Sequence, residues 1–408
     1  MLARFVSLFH FFLKFWYYIP QISINFGNQI PIFMIKRISS GLIRGKLKSG
    51  KALIILGARQ TGKTTLLNQL LQDNTDIAWL TGDDPDVQRV FEQVTSARLK
   101  TLFAGKKIIV IDEAQRIADI GIKLKLITDQ MKDVQLIATG SSAFELANRI
   151  NEPLTGRKWE FQLFPISFQE MANHHGLLEE KRLLPHRLVY GYYPEVVTKP
   201  GDEKNVLKQL TDSYLYKDIL MWERIQKPEK LIRLLQALSF QVGSQVSYHE
   251  LGQLTNLDNK TVDKYINLLE QVFIIFRLGS FARNLRSELK SSRKIYFYDN
   301  GIRNALIANF NPPELRQDIG ALWENFLMAE RIKYLHYYNV WANRYFWRTH
   351  AQQETDYIEE RDGKLFCFEF KWSPKAKYKF SKTFSEAYPD AIKEIIHPDN
   401  FESFLGIK

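Results

Sequence analysis

Two stretches early in this sequence place chemically competent residues at telling intervals. GARQTGKTT, residues 57–65, sets Gly57, Gly62, Lys63 and Thr64 in the spacing G-x-x-x-x-G-K-[ST]. Around such a spacing the backbone N–H groups of Gly57, Ala58, Arg59, Gln60, Thr61 and Gly62 can turn inward on a phosphate. Lys63 can then reach the β- and γ-phosphates and Thr64 can ligate magnesium, with Thr65 completing the cradle at the start of a helix. The apolar run IIVIDEAQ ends in Asp112 and Glu113. Asp112 stands where a magnesium-holding carboxylate belongs, and Glu113 can polarise an attacking water. A third run, VQLIATGSS, ends at Thr139, Gly140 and Ser141, where a polar side chain can sense a γ-phosphate.

A different constellation lies near the end, in ETDYIEERDGKLFCFEFKWS, residues 354–373. Asp362-Gly363 between alternating apolar residues predicts a hairpin with a two-residue turn. Arg361 then faces Lys364, Asp356 faces Glu369, and Glu354 faces Lys371. Residues two apart share a face, so all four outer charges lie together, and Tyr357, Phe368 and Phe370 form the opposite, core face. Carboxylates directly across from each other repel unless a cation lies between them, and a hard divalent ion suits oxygen ligands. Against this stands a plainer reading, an exposed Glu354–Lys371 ion pair with Asp356 and Glu369 solvated. Tyr357 and Trp372 are bulky neighbours expected to narrow access to the site.

These residues need elements to position them. Ala52–Leu56 leads as a strand into the phosphate motif, and the helical LLNQLLQ follows it. Asp76–Asp84, Ile108–Gln115 and Lys158–Ser167 read as further strands alternating with helices. That alternation predicts a doubly wound parallel sheet with its ligand at the strand carboxyl ends. Residues 168–246 read as helical and lid-like, with loops at Pro185, Tyr193-Pro194 and Pro200-Gly201. Ser247 and Glu250 then start a helix as S-x-x-E. A second helix buries Val262, Ile266, Leu269 and Phe273, and FIIFRLGSF follows as a strand. Helix–turn–helix–strand predicts a winged helix. If it reads DNA, Asn259, Lys260, Thr261 and Lys264 lie near phosphates or bases; the alternative is a structural lid on its own ATPase. The basic run Arg283, Arg286, Lys290, Arg293 and Lys294 can track a phosphate backbone, and a solvated loop explains it equally well. Beyond it, Lys294–Ile307 reads as a strand, an Asn-Gly turn and a helix. Ala321–Leu335 is a longer helix carrying Glu324, and Arg344–His350 is a strand.

With 408 residues the chain has room for two or three domains. A formal charge of +11 is compatible with nucleic acid or an anionic surface. The single cysteine, Cys367, excludes an internal disulfide and a cysteine-rich zinc site, and it fits a reducing cytoplasm. The first 33 residues differ: an aromatic, apolar stretch is interrupted by Arg4, His10 and Lys14. It reads as an anchor, a buried helix, or sequence upstream of a start at Met34, and the last is favoured.

GARQTGKTT, IDEAQRI, ATGSSAFEL, LTGRKWEFQLFPISFQE and GYYPE, in this order, resemble a prokaryotic family of AAA-type P-loop ATPases with a C-terminal domain of unknown function. The resemblance runs from about Met34 to near the end. It implies ATP and Mg2+ as cofactors, an AAA-like sheet, and self-association through the ATPase domain as a candidate. It places Ser141 near the sensor position and makes Arg157 a candidate γ-phosphate contact. D-x(12)-E-x-K with a helical Glu upstream resembles the PD-(D/E)xK nuclease core. That implies Asp356, Glu369 and Glu324 as magnesium ligands, with Lys371 stabilising the attacking water or the phosphate charge.

The expected architecture is α/β: an AAA-type P-loop ATPase with a doubly wound parallel sheet, then a winged-helix module and a small restriction-nuclease-like α/β domain. The boundaries expected are 1–33, 34–170, 171–245, 246–285 and 286–408. The expected function is a cytoplasmic ATPase coupled to a DNA-binding or DNA-cutting C-terminal domain, with no convincing membrane partner. The alternative is an ATP-dependent switch whose inactive nuclease-like domain binds protein or nucleic acid.

Overall fold

Strands that read as continuous apolar runs are covered on both faces. In β1 (Ala52–Leu56), Ala52, Ile54 and Leu56 join one core with Ile109, Ile111 and Ala138, while Leu53 and Ile55 join another with Val110 and Ile137. Burial on both sides is what removes any polar alternation from such a strand. The computed structural model describes residues 35–92, 94–141, 150, 153–214, 228–282, 292–349, 351–376 and 378–407. The extension 1–33, Met34, and Arg283, Arg286 and Lys290 lie outside the described residues. Lys36–Lys408 cluster as one unit.

The first sheet has five strands in the order β2-β3-β4-β1-β5. β2 is Ile77–Thr81, β3 Ile108–Asp112, β4 Gln135–Gly140 and β5 Lys158–Gln162, and every pairing is parallel. β5 is shorter than the run that predicted it. Past Gln162 the chain meets Pro165, which has no N–H for a ladder, and turns into the helix Phe168–His175. Ser167 caps that helix in a full capping box with Glu170.

Pro185 does not mark a loop: it lies inside the helix Leu177–Tyr190. A mid-helix proline costs about 3 kcal/mol. Here its neighbours Leu184, Leu188 and Val189 are buried, so packing outweighs the local penalty. Pro194 opens the next short helix at its first turn, where a missing N–H is harmless.

The expected helix–turn–helix–strand is present. Ser247 starts Tyr248–Thr255 and Asp258 caps Asn259–Gln271, which buries Val262, Ile266 and Leu269. Phe273 is half-buried in the turn that follows, at φ 60°. β7 (Ile275–Ser280), β8 (Arg293–Phe297) and the short β6 (Gln245–Val246) pair antiparallel as β7-β8-β6. These strands do not stand alone. β7 runs parallel to β9 (Asn343–Arg348), and one seven-stranded sheet crosses the expected boundary at residue 285 in the order β12-β11-β10-β9-β7-β8-β6. β10 is Glu354–Arg361, β11 Lys364–Phe370 and β12 Ile392–Ile396.

Asn300-Gly301 is likewise no separate turn. Asp299 Oδ1 accepts from the Ile302 N–H at 3.1 Å, which makes Asn300 the first residue of the helix Asn300–Leu306. Gly191 of GYYPE explains its type here: a Cβ on it would lie 2.1 Å from Asp299 Oδ1. The long helix Ile319–Tyr337 is buried on nearly every side. It is held to the chain leaving β5: Gln162 N–H donates to His336 Nε2 at 3.2 Å, Phe168 N–H to Glu330 Oε2 at 2.8 Å, and Lys333 Nζ to Ile166 O at 3.0 Å. Among the described residues no helix is long and apolar enough to cross a membrane.

Candidate functional site

The phosphate motif sits where β1 ends, at the carboxyl edge of the parallel sheet. Both of its glycines are required by geometry. A Cβ on Gly57 would stand 2.2 Å from Leu163 O, and Gly62 adopts φ 91° as the residue before the helix Lys63–Leu71. Thr61 Oγ1 closes the turn on Ala58 O at 2.8 Å. Arg59 is half-exposed, Gln60 is exposed at φ 57°, and Thr64 and Thr65 are exposed in the first helical turn. Lys63 is 5% exposed and donates to Gly57 O at 2.9 Å and Ala58 O at 3.0 Å, so its ammonium lies against the loop it serves.

Asp112 is gripped from two sides. Thr64 Oγ1 donates to its Oδ2 at 2.7 Å, and Thr139 Oγ1 donates to its Oδ1. Thr139 in turn accepts from the Glu113 N–H at 3.2 Å. Glu113 is left-handed at φ 48°, a strained setting for a non-glycine residue, and its carboxylate accepts from Gln115 Nε2. That same nitrogen lies 3.1 Å from Ser141 Oγ. Lys63, Thr64, Asp112, Glu113 and Ser141 therefore come together as expected from their strand ends. Thr64 and Asp112 present adjacent hard oxygen donors, the kind magnesium takes, so the residues fit that ion.

Arg157 does not join them. Its carbonyl accepts from the Ala52 N–H at 2.9 Å, which puts it at the amino end of β1. Four residue rises, roughly 13 Å, separate that end from the phosphate loop. Its guanidinium pairs with Asp129 at 2.8 Å instead. Two more residues support the site. Thr139, one of the polar strand-end residues expected there, is the parallel neighbour of Ile55 and follows Ala138, the partner of Ile111, a register that sets it against Asp112. Buried Arg37 carries no sequence signal. Its Nη1 donates to Thr61 O at 2.8 Å, its Nη2 to Phe164 O at 2.6 Å and its Nε to Glu170 at 3.1 Å, which braces the phosphate loop against the segment after β5.

Residues 49–172 match the family model described as an AAA domain. That stretch is similar to AAA-type P-loop domains, and its fold is α/β with a parallel sheet. Residues 181–313 and 319–402 match two domains of unknown function, DUF8612 and DUF4143. An uncharacterized protein of Haemophilus influenzae is 24% identical over 281 residues, covering 62% of this chain and 68% of the relative. One from Mycobacterium bovis is 23% identical over 340 residues, covering 82% and 74%. A signal-transduction ATPase with numerous domains from Pyrococcus horikoshii aligns at 14% identity and TM-score 0.29, over 75% of this chain and 47% of that one. This chain thus spans about half of that solved protein's length. Domain III of the Thermotoga maritima replication initiation protein DnaA aligns at 13% and TM-score 0.27, over 53% and 88%. Scores this low bear on neither fold nor function.

In the C-terminal half, the hairpin forms in the expected register, from Arg361↔Lys364 to Tyr357↔Phe368. Tyr357, Phe368 and Phe370 are buried on one face. Tyr357 is therefore core and does not border the charged face, while Trp372 stacks edge-on against Trp323. Asp356, Glu369 and Lys371 do converge: Lys371 Nζ lies 3.0 Å from Glu369 and 3.8 Å from Asp356. The Glu354–Lys371 pair is not formed. A register shift against β9 falls between Thr355 and Ile358, and Glu354 pairs with Lys294 at 2.5 Å and Arg348 at 3.4 Å.

Glu324 arrives from the long helix and binds Lys294 at 3.0 Å and Tyr296 Oη at 2.6 Å. Burial, above all, pushes its carboxyl up to about 7 and that of Glu369 up to about 8, the latter aided by Asp356. Among the described residues no group of three His, Cys, Asp or Glu could hold a metal ion; of the expected magnesium ligands, Glu324 turns to Lys294 and Tyr296, and Asp356 and Glu369 take Lys371. Lys294 does not face solvent to track a phosphate backbone, being 1% exposed, while Arg293 is partly exposed and donates to Tyr248 Oη at 2.9 Å.

Proposed function

We propose that this chain is an ATP-hydrolysing switch whose nucleotide state is passed to a DNA-directed C-terminal half. The grip of Thr64 and Thr139 on Asp112, with Glu113 beside it at the carboxyl edge of the sheet, carries this reading. Thr64 and Asp112 would hold the magnesium that accompanies ATP and neutralises phosphate charge. Lys63 is one side-chain swing from its own loop carbonyls to a phosphate. Glu113, held by Gln115 next to Ser141, would polarise a water and register whether a γ-phosphate is present.

Coupling follows from contact. The phosphate loop touches the segment after β5 through Arg37 and through the Gly57–Leu163 approach, and that segment is bonded to the long helix. Support for a nucleic-acid partner is the helix–strand arrangement, which resembles a winged helix, with Asn259, Lys260 and Lys264 exposed on its second helix. The net charge of +11 agrees with it. The resemblance to a nuclease core rests on the sequence spacing of Asp356, Glu369 and Lys371, and no cleavage is derived from it.

Lys63→Ala is expected to abolish tight ATP binding, and Glu113→Gln to keep ATP and block turnover. Duplex and single-stranded DNA, each with and without ATP, are expected to raise turnover without being cut. ATP binding unaffected by Lys63→Ala would refute the ATP site; turnover indifferent to both DNAs would remove DNA as the partner.

A further inference from the structure

The carboxylates at the hairpin end surround two ammonium groups. Lys294 Nζ lies 3.0 Å from Glu324 Oε1 and 2.5 Å from Glu354 Oε1. Lys371 Nζ lies 3.0 Å from Glu369 Oε2 and 3.8 Å from Asp356 Oδ2. Each carboxylate is served by a further donor as well: Tyr296 Oη for Glu324, Arg348 for Glu354, the Phe370 N–H at 2.9 Å for Asp356, and Tyr378 Oη at 2.7 Å for Glu369. We infer that Lys294 and Lys371 are the resident cations of this cluster, which holds the C-terminal half together without a divalent ion.

Lys294 starts on β8, beside Leu278 of β7, and its ammonium passes over the Phe346 ring at 5.5 Å to reach Glu354 on β10. It therefore ties β8, the long helix and the hairpin at one point. Lys294 takes one oxygen each of Glu324 and Glu354, so a divalent ion there would compete with a buried ammonium for those donors. It would also sit beside a buried ammonium, whose like charge opposes it at low local dielectric. Lys294 cannot step aside, because it is 1% exposed and an unpaired buried charge is strongly unfavourable.

This inference does not depend on the ATPase reading, and its test uses the nucleotide-free full chain, in which the phosphate loop lacks the nucleotide that holds its ion. Mn2+ is titrated and free Mn2+ read by electron paramagnetic resonance, with melting followed in parallel. The wild type is expected to show no saturable Mn2+ binding and no shift in melting temperature. Lys294→Met keeps the stem and removes the charge. It is expected to melt lower and to gain Mn2+ binding that Asp356→Asn removes again, whereas Lys294→Arg stays metal-indifferent. Saturable binding by the wild type that Glu369→Gln abolishes and Lys63→Ala leaves intact would overturn the inference, and that arm needs no Lys294 variant to fold. A folded Lys294→Met chain that binds no Mn2+ would equally show that Lys294 does not stand in a cation's place.

Discussion

Thr139 has one hydroxyl and two duties, donating to Asp112 and accepting from the Glu113 backbone. Valine has the same shape without either bond. Thr139→Val should therefore leave ATP affinity largely intact and slow turnover about 10- to 100-fold, the usual effect of losing the group that orients a ligand residue. Steady-state kinetics beside equilibrium ATP binding separates the two. Arg37 works differently, because it touches backbone and Glu170 instead of the reacting groups. Truncating it leaves the buried Glu170 carboxylate without its cation, held only by the Ser167 and Ile38 N–H groups, a loss of about 3 kcal/mol. Arg37→Ala should lower the melting temperature and raise the KM for ATP, and an unchanged KM in a folded variant would show that the brace does not position the phosphate loop.

The element that joins the halves is the segment between β5 and the helix Phe168–His175, with the long helix docked on it. His336 accepts from the Gln162 N–H, so the docked form needs an unprotonated Nε2, and burial lowers the pKa of the imidazole. A base whose folded pKa is lowered contributes stability above its ordinary pKa and loses it as pH falls through the lowered value. Melting temperature should thus fall between neutral pH and about pH 5, and His336→Gln should flatten that slope. An identical pH profile for the variant would exclude His336 as the acid-sensitive contact. Elements also show where local rules were overruled. Pro185 reads as a break and sits in a helix because its flanks are buried; Asn300-Gly301 reads as a turn and is a helix start because Asp299 caps it.

For the whole molecule, the described residues from Lys36 onward cluster as one unit with two sheets and a buried helix between their contacts. A chain beginning at Met34 is expected to fold and to turn over ATP at the full-length rate. Loss of folding on that truncation would mean that residues 1–33 complete the core. Binding of ATP is expected to slow amide exchange in 163–168 and in the long helix together, since Arg37 and Lys333 tie both to the phosphate loop's neighbourhood. Protection confined to the phosphate loop would argue against the switch.

By itself the sequence determined what is local. The spacing from Gly57 to Thr64 demands a strand–loop–helix, and apolar runs ending in Asp112 and Ser141 demand strand ends at that loop. Asp362-Gly363 determined the hairpin register, and with it the face shared by Asp356, Glu369 and Lys371. What remained was decided by contacts between segments far apart in the chain, where no periodicity or spacing carries the information. Arg37 meets Glu170 across 133 positions, and Arg157 faces away from the phosphate because parallel pairing with β1 places it at the other edge. Lys294 and Glu324 meet only when the sheet and the long helix close on each other. That closure sets Lys294 against Glu324 and Glu354, beside the Lys371 that serves Asp356 and Glu369, so carboxylates that read as metal ligands stand against lysines.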